Sequence, residues 1–440
     1  MTREEIIDKC KELDVSFIRL QFTDILGVIK NVAIPISELE RALNNETTFD
    51  GSSIEGFTRV EESDMILKPD INTFAIFPWR PRERAVARII CDVYTPDQKP
   101  FDGDPRYILK KAIRDAEKNG FTINIGPECE FFLFKLNENG TPSTVTHDIG
   151  GYFDMSPNDM GENARREIVL TLEEMGFEIE ASHHEVSPGQ HEIDFKYSNP
   201  LSTADRVVTL KFITRTIAQL HNLHATFMPK PLFGLNGSGM HVHLSIFKNG
   251  GNIFYDPAAN YQVSQTALYF IGGILKHIKG ITAITNPLVN SYKRLLPGYE
   301  APVYQSWSAS NRSALIRVPA AREAGTRIEI RNPDPCCNPY LAFSLLIRAG
   351  LEGINHKISP GEPIQKNVYA MSPVERSLAN ISKLPASLYE ALLEMERDPL
   401  CLETLGEHIY NRFMEAKSIE WEVYQAQVHQ WELDQYLGVF

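Results

Sequence analysis

Charged and polar residues recur at every second position in three otherwise apolar runs of this chain. A strand has a period of two, so residues i and i+2 share a face. In Gly126–Phe134, Glu128 and Glu130 therefore point one way. In Gly239–Ser245, His241, His243 and Ser245 do the same. In Arg327–Arg331 three charges share a face, which leaves Ile328 and Ile330 to a core. The three runs predict a sheet with one packed face and one face lining a polar cavity. The segment His183–Glu192 adds Glu185 and Glu192 in a Pro/Gly turn.

Around these runs the pattern divides the chain. Thr2 and Glu5 predict a capping box for a short first helix. Residues 15–92 read mostly as strands and turns, with β-formers in Val15–Phe22 and a closing strand at Ala85–Cys91. Tyr94–Pro105 is rich in Pro, Asp and Gly and marks a boundary, giving domains 1–97 and 104–440. Asp104 then caps a helix with Pro105 at its first position and Gly120 as its stop. Ile108, Leu109, Ala112, Ile113 and Ala116 supply its apolar face. Strands and helices mix to about residue 345, and helix dominates beyond. Ser387 and Glu390 predict another capping box, and the tail Ile419–Tyr436 carries Trp421, Tyr424, Val428 and Trp431.

Composition narrows the function. The 440 residues hold 44 Lys+Arg against 57 Asp+Glu, a net charge of −13. That balance argues against a nucleic-acid surface, which wants clustered cations, but allows a local basic pocket. No run approaches the roughly 18 apolar residues of a membrane span. The six cysteines lack CxxC spacing, and the charged N-terminus is followed by no apolar signal core. A reducing cytoplasm is the expected location.

Clustered carboxylates repel unless a cation or proton intervenes. Glu128, Glu130, Glu185, Glu192, Glu329 and His241 form a donor set suited to two adjacent hard divalent ions, Mg²⁺ or Mn²⁺. Arg294, Arg312, Arg317, Arg322, Arg327 and Arg331 crowd into 38 positions and point to carboxylate or phosphate recognition. Gly234–Gly239 can bring backbone N–H groups close to an anion. Walker A and G-x-S-x-G motifs are absent from the sequence. The residues alone leave kinase, ligase and phosphohydrolase open.

A resemblance goes further. Phe49–Phe57, Glu128-x-Glu130, His183-His-Glu185, Asn236–His243, Asn290–Leu295, Pro297–Pro302, Asn311-Arg-Ser313 and Arg327–Arg331 occur in this order. Together they resemble glutamine synthetase type I, in its short, feedback-regulated subtype typical of Gram-positive bacteria. The resemblance implies an α+β fold. A small β-grasp-like N-terminal domain would precede a large catalytic domain with a curved antiparallel sheet flanked by helices.

It also implies roles. One ion would lie on Glu130, Glu185 and Glu192, the other on Glu128, His241 and Glu329. Glutamate would meet Arg294, Asn236, Gly237, Glu300, Arg312 and Arg331. ATP would meet Glu180, Phe195, Tyr197, His243, Ser245, Arg312 and Arg317. Asp50 would take a proton from ammonium and Glu300 would close over the intermediate, with Asp50 supplied by a neighbouring subunit. The implied assembly is a homododecamer of two hexameric rings, crossed by the aromatic tail. L-glutamate, ammonium and ATP are the implied substrates, and nitrogen-responsive transcription regulators are implied partners. Arg59 matches the arginine with which this subtype senses glutamine. Asn367-Val-Tyr369 has the Asn-x-Tyr form of the branch that adenylylates a tyrosine, but Ala370–Arg376 after it departs from that branch's pattern, so Tyr369 is expected to stay unmodified. Two rivals remain: a non-catalytic relative, which would have lost ligands, and a ligase using an amine other than ammonia.

Overall fold

The structure is a computed structural model and describes residues 1–54, 56 and 64–440. Two sheets organise it. The first is built from β1 (Val15–Thr23), β2 (Ile29–Pro35), β3 (Thr47–Asp50), β4 (Asp64–Ile76) and β5 (Ala85–Tyr94), in the order β2-β1-β5-β4-β3. The β1–β5 pair is parallel and the others are antiparallel. The last strand in sequence thus lies at the centre of the sheet, which explains why Ala87, Ile89 and Cys91 are all buried. The helix Arg3–Glu12 has the expected capping box and seats Ile6 and Cys10 in the same core.

The second sheet carries the site. Its strands are β6 (Thr122–Leu136), β7 (Pro142–Thr146), β8 (Ile179–His184), β9 (Gln190–Phe195), β10 (Leu223–Thr226), β11 (Met240–Lys248), β12 (Gly251–Asn252), β13 (Trp307–Ser308), β14 (Ile316–Arg317) and β15 (Ile328–Ile330). The main order is β13-β14-β15-β11-β6-β9-β8, with β7 and β10 on the far half of β6 and β12 on β11. All pairs are antiparallel except β13–β14. Alternation works as the pattern requires. Ile125, Cys129, Val242, Leu244, Ile328 and Ile330 enter the large core, and the charged residues between them take the other face.

Helices cover the packed face. Pro105–Lys118 begins at an Asp104 cap, with Pro105 at its first position. The helix Gln265–Thr285 has the length and composition of a membrane span, but most of it is buried against the helices Pro339–His356 and Leu388–Arg397. At Ser387 the cap differs from expectation. Its hydroxyl accepts from Glu390 N, yet the Glu390 carboxylate reaches Ala386 N, one residue earlier than a capping box requires. The tail is helical over Pro399–Gln425, with a kink at Gly406 (φ 76°, ψ 159°), and is followed by a short helix, Gln430–Tyr436, with Trp431, Leu437 and Phe440 exposed.

Candidate active site

Register assembles the cavity. β6 pairs Glu128 with His241 on β11 and Glu130 with Glu192 on β9, while β15 pairs Glu329 with His243. A cavity of about 590 Å³ results, lined by Glu128, Glu130, Glu185, Glu192, His241 and Glu329. Asn236, Gly237, Arg294, Glu300, Arg312, Arg317 and Arg331 line it too. A smaller cavity of about 280 Å³ contains Glu180, Phe195, Tyr197, His243 and Ser245, and shares Glu128 and Asp194 with the first.

Two ligand sets stand out. Glu128, His241 and Glu329 offer atoms within 4.8 Å of one another, as do His183, Glu185 and Glu192. Glu130 lines the same cavity, but its Oε2 accepts from Gly239 N at 2.9 Å and from Gln190 Nε2 at 2.9 Å. His183 thus stands in this group of close donor atoms where the resemblance puts Glu130. Its signal was present, since it stands two residues before Glu185 and directly opposite Glu192. Asp194 was missed for the same reason, being two residues beyond Glu192 on the same strand face.

The tautomer of His243 follows from its partners. Its Nδ1 accepts from Arg327 Nε at 3.0 Å, so the proton lies on Nε2, which donates to Glu128 Oε1 at 2.7 Å. His241 Nδ1 sits 2.9 Å from Glu128 Oε2 and 3.8 Å from Glu329 Oε1. Burial opposes charge on Glu128, but hydrogen bonds from His241 and His243 hold it well below the usual carboxylate range. Glu329 is also held low, against its burial, by His241 and by Arg331.

The other carboxylates go the opposite way. Burial pushes Glu130 up to about 7, with Glu128 adding repulsion. Burial and Glu130 push Glu185 up to about 7. Glu192 is raised well above normal by burial and by Glu130, Glu128 and Glu185, and Asp194 is raised to about 9 by burial and Glu192. Among the described residues no lysine or arginine forms an ion pair with Glu130, Glu185 or Glu192. Such a set demands protons or a cation. Oxygen-rich donors with one imidazole per set fit hard divalent ions.

Arginines close the cavity. Arg294 is buried and donates to the carbonyls of Asn332 at 2.7 Å and Arg331 at 3.2 Å. Gly239 permits this, because a Cβ there would stand 2.5 Å from Arg294 Nη2. Gly237 is likewise required, since a Cβ would fall 2.1 Å from Pro229 O. Arg317 and Arg331 both bond Glu329, and Arg312 is exposed at the rim. Arg327 lies in the smaller cavity, whereas Arg322 serves backbone carbonyls, among them Tyr261 O. Glu300 holds a left-handed conformation, φ 57°, with Oε2 3.4 Å from Asn236 Nδ2. Non-glycine residues take that conformation at a cost.

Two assigned residues lie elsewhere. Asp50 ends β3, is exposed, and does not line either cavity of its own chain. The Ser52 hydroxyl and then its N–H, both bonding the carboxylate, hold Asp50 below the usual range. Arg59 falls outside the described residues.

Two family models match the chain: glutamine synthetase, beta-Grasp domain, over residues 14–96, and glutamine synthetase, catalytic domain, over residues 102–436. The chain belongs to the glutamine synthetase family. It is 59% identical over 438 residues to a glutamine synthetase of Methanosarcina mazei, covering 100% of this chain and 98% of that protein. It is 58% identical to one of Thermus thermophilus over 443 residues and 57% identical to one of Clostridium saccharobutylicum over 439, covering 100% of this chain and 99% of each. Among solved structures, a GmaS/ADP complex superposes with a TM-score of 0.90 at 31% identity, covering 98% of this chain and 99% of that one. The glutamine synthetase of Plasmodium falciparum superposes at 0.88 with 28% identity, covering 99% of each chain. The α+β fold expected of the family is present, and the chain is an enzyme of the glutamate–ammonia ligase class.

Proposed function

We propose that this enzyme makes L-glutamine from L-glutamate, ammonia and ATP through γ-glutamyl phosphate. The observation that carries the reading is the carboxylate set on β6 and β9 and in the β8–β9 turn, without a lysine or arginine ion-pair partner among the described residues, facing an arginine-lined cavity beside a second cavity. Glu128, His241 and Glu329 would hold one Mg²⁺ or Mn²⁺ ion; Glu185 and Glu192, with Glu130 and His183, would hold another. The ions supply charge neutralisation on the transferring phosphoryl group.

The rest is done by the chain. Glu180, Phe195, Tyr197, His243 and Ser245 line the smaller cavity and would seat the nucleotide, with Arg317 and Arg312 toward its phosphates. Asn236, Gly237, Arg294 and Arg331 would hold glutamate with its γ-carboxylate toward the γ-phosphorus. That carboxylate attacks, the P–O bond to ADP breaks, and Arg312 and Arg331 steady the negative charge. Ammonium gives a proton to Asp50, the resulting ammonia attacks the acyl carbon, and the adduct loses phosphate and a second proton to leave the amide. Because Asp50 lies away from its own chain's cavities, the proposed site joins two neighbouring subunits of a homododecamer in the cytoplasm. Glu300 closes the cavity and keeps water from the acyl phosphate.

The test is phosphate release from ATP with Mg²⁺ and glutamate, and with ammonia or other amines as acceptor. Ammonia should be preferred; preference for another amine would overturn the substrate assignment. Light scattering should give a particle about twelve times 49.8 kDa, and a fully active monomer would refute the shared site. Glutamine should inhibit, and Arg59→Ala should lose much of that inhibition while keeping activity. Identical inhibition curves would remove Arg59 from regulation. Tyr369, whose hydroxyl donates to Ala301 O, is proposed to stay unmodified.

A further inference from the structure

β8 and β9 present two histidine faces. Residues opposite each other in an antiparallel pair point the same way. His183 and Glu192 face the cavity, so His184 and His191 face the other side. Behind the sheet they meet His147, Asp148, Asp159 and Arg165. This cluster already contains its own cation. Arg165 Nη1 lies 2.7 Å from Asp159 Oδ2 and 2.9 Å from His191 Nδ1, so the charge a metal would bring is supplied by the guanidinium.

Asp148 is the hub, and its side chain is fully buried. Oδ1 accepts from Gly189 N at 2.7 Å. Oδ2 lies 3.2 Å from His184 Nε2 and 3.0 Å from His147 Nε2. His184 Nδ1 in turn donates to Glu185 O at 2.6 Å. One carboxylate thus grips both ends of the 184–189 turn: the Glu185 end through His184, and the Gly189 end directly. Gly189 must hold φ 72°, and a Cβ there would stand 2.9 Å from Leu133 O, so the turn has little freedom to answer a change.

We propose that Asp148 is a positioning residue that sets the metal affinity of the cavity from behind the sheet, by fixing the turn that carries Glu185 and leads into the strand of Glu192. It touches neither substrate nor ion. The inference rests on the proposed role of Glu185 and Glu192 as ion ligands. Outer partners of this kind typically change metal affinity by 10–100-fold.

The test is a Mn²⁺ titration of the purified, full-length enzyme without substrates, followed by electron paramagnetic resonance. The relevant class of ions is the one lost in Glu192→Gln. Asp148→Asn should raise its dissociation constant about tenfold, and so should His184→Gln if the first variant fails to fold. His147→Gln removes a neighbour of Asp148 that does not touch the turn, and it should stay within about twofold of wild type. A lower melting temperature with an unchanged dissociation constant would overturn the inference and leave Asp148 as packing alone. An equal loss in His147→Gln would also overturn it. If wild type itself shows no class of ions lost in Glu192→Gln, the ligand reading fails first, before any variant of Asp148 is compared.

Discussion

Two buried clusters of acids in this molecule are resolved in opposite ways. Where the first sheet meets the helices Pro105–Lys118 and Pro200–Leu220, Arg106 reaches Asp70 at 2.7 Å, Asp92 at 2.7 Å and Asp205 in a two-pronged contact at 2.9 and 3.0 Å. Lys110 adds a second cation on Asp92, and the Tyr340 hydroxyl donates to Asp205 at 2.7 Å. Burial opposes charge on Asp70, but the hydrogen bond from Arg106 and its charge hold that carboxyl below its usual range. Among the described residues Glu130, Glu185 and Glu192 find no such partner in the cavity, and their carboxyls are pushed up. The first cluster is finished by the fold and serves stability. The second is left unfinished, and an incomplete charge balance is a binding capacity.

The sharpest break of this contrast is at Arg106. Arg106→Leu leaves three aspartates without their guanidinium and should cost about 3–5 kcal/mol of stability, read from chemical denaturation. A loss below 1 kcal/mol would show that the junction acids are solvated rather than paired. Glu192→Gln should do the reverse. Removing one repelling charge should leave the metal-free melting temperature equal or higher, while kcat/KM falls at least about 100-fold. A destabilised but active Glu192→Gln would place this residue in the structural class.

Metal should then distinguish the regions directly. At 100 times its dissociation constant, Mg²⁺ should stabilise wild type by about 2.7 kcal/mol, and Glu192→Gln by clearly less. Equal stabilisation of both would move the ion elsewhere. The smallest effect is on pH dependence. Glu130 and Glu185 have folded values of about 7 against 4.5 for the free group. The folded metal-free protein therefore binds more protons than the unfolded chain in this window. Its stability should be full below pH 4.5 and fall as pH rises through about 7. Asp70, shifted down, works with the opposite sign: its contribution is present above pH 3.8 and lost in acid. Saturating Mg²⁺ should flatten the neutral slope and leave the acid limb, both followed by melting at a series of pH values. A neutral slope that Mg²⁺ does not change would detach it from the cavity.

Much of this was legible because strand alternation is a local rule. Glu128 with Glu130, and Ile328 and Ile330 around Glu329, could be sorted to faces from the sequence, and the sheet places them on those faces. The same rule applied to β9 would have found Asp194 and Gln190, and applied to β8 would have found His183. The central place of β5 was not legible, since a parallel partner is chosen by long-range packing and leaves no mark in spacing. Nor was the Arg106 cluster, whose members come from residues 70, 92, 106 and 205 with no shared motif.

The sequence by itself determined which residues face together along each strand, where the main helices begin, and the family, because periodicity, caps and motif order are properties of neighbouring residues. Only the tertiary structure decided which strands meet and in what register, which acids receive a cation from the protein, and which have none among the described residues. It also decided that His183 joins Glu185 and Glu192 while Glu130 bonds Gly239 and Gln190. The reason is physical: a carboxylate's charge balance depends on groups within a few ångströms in space, and cross-strand pairing brings those groups together from distant parts of the chain.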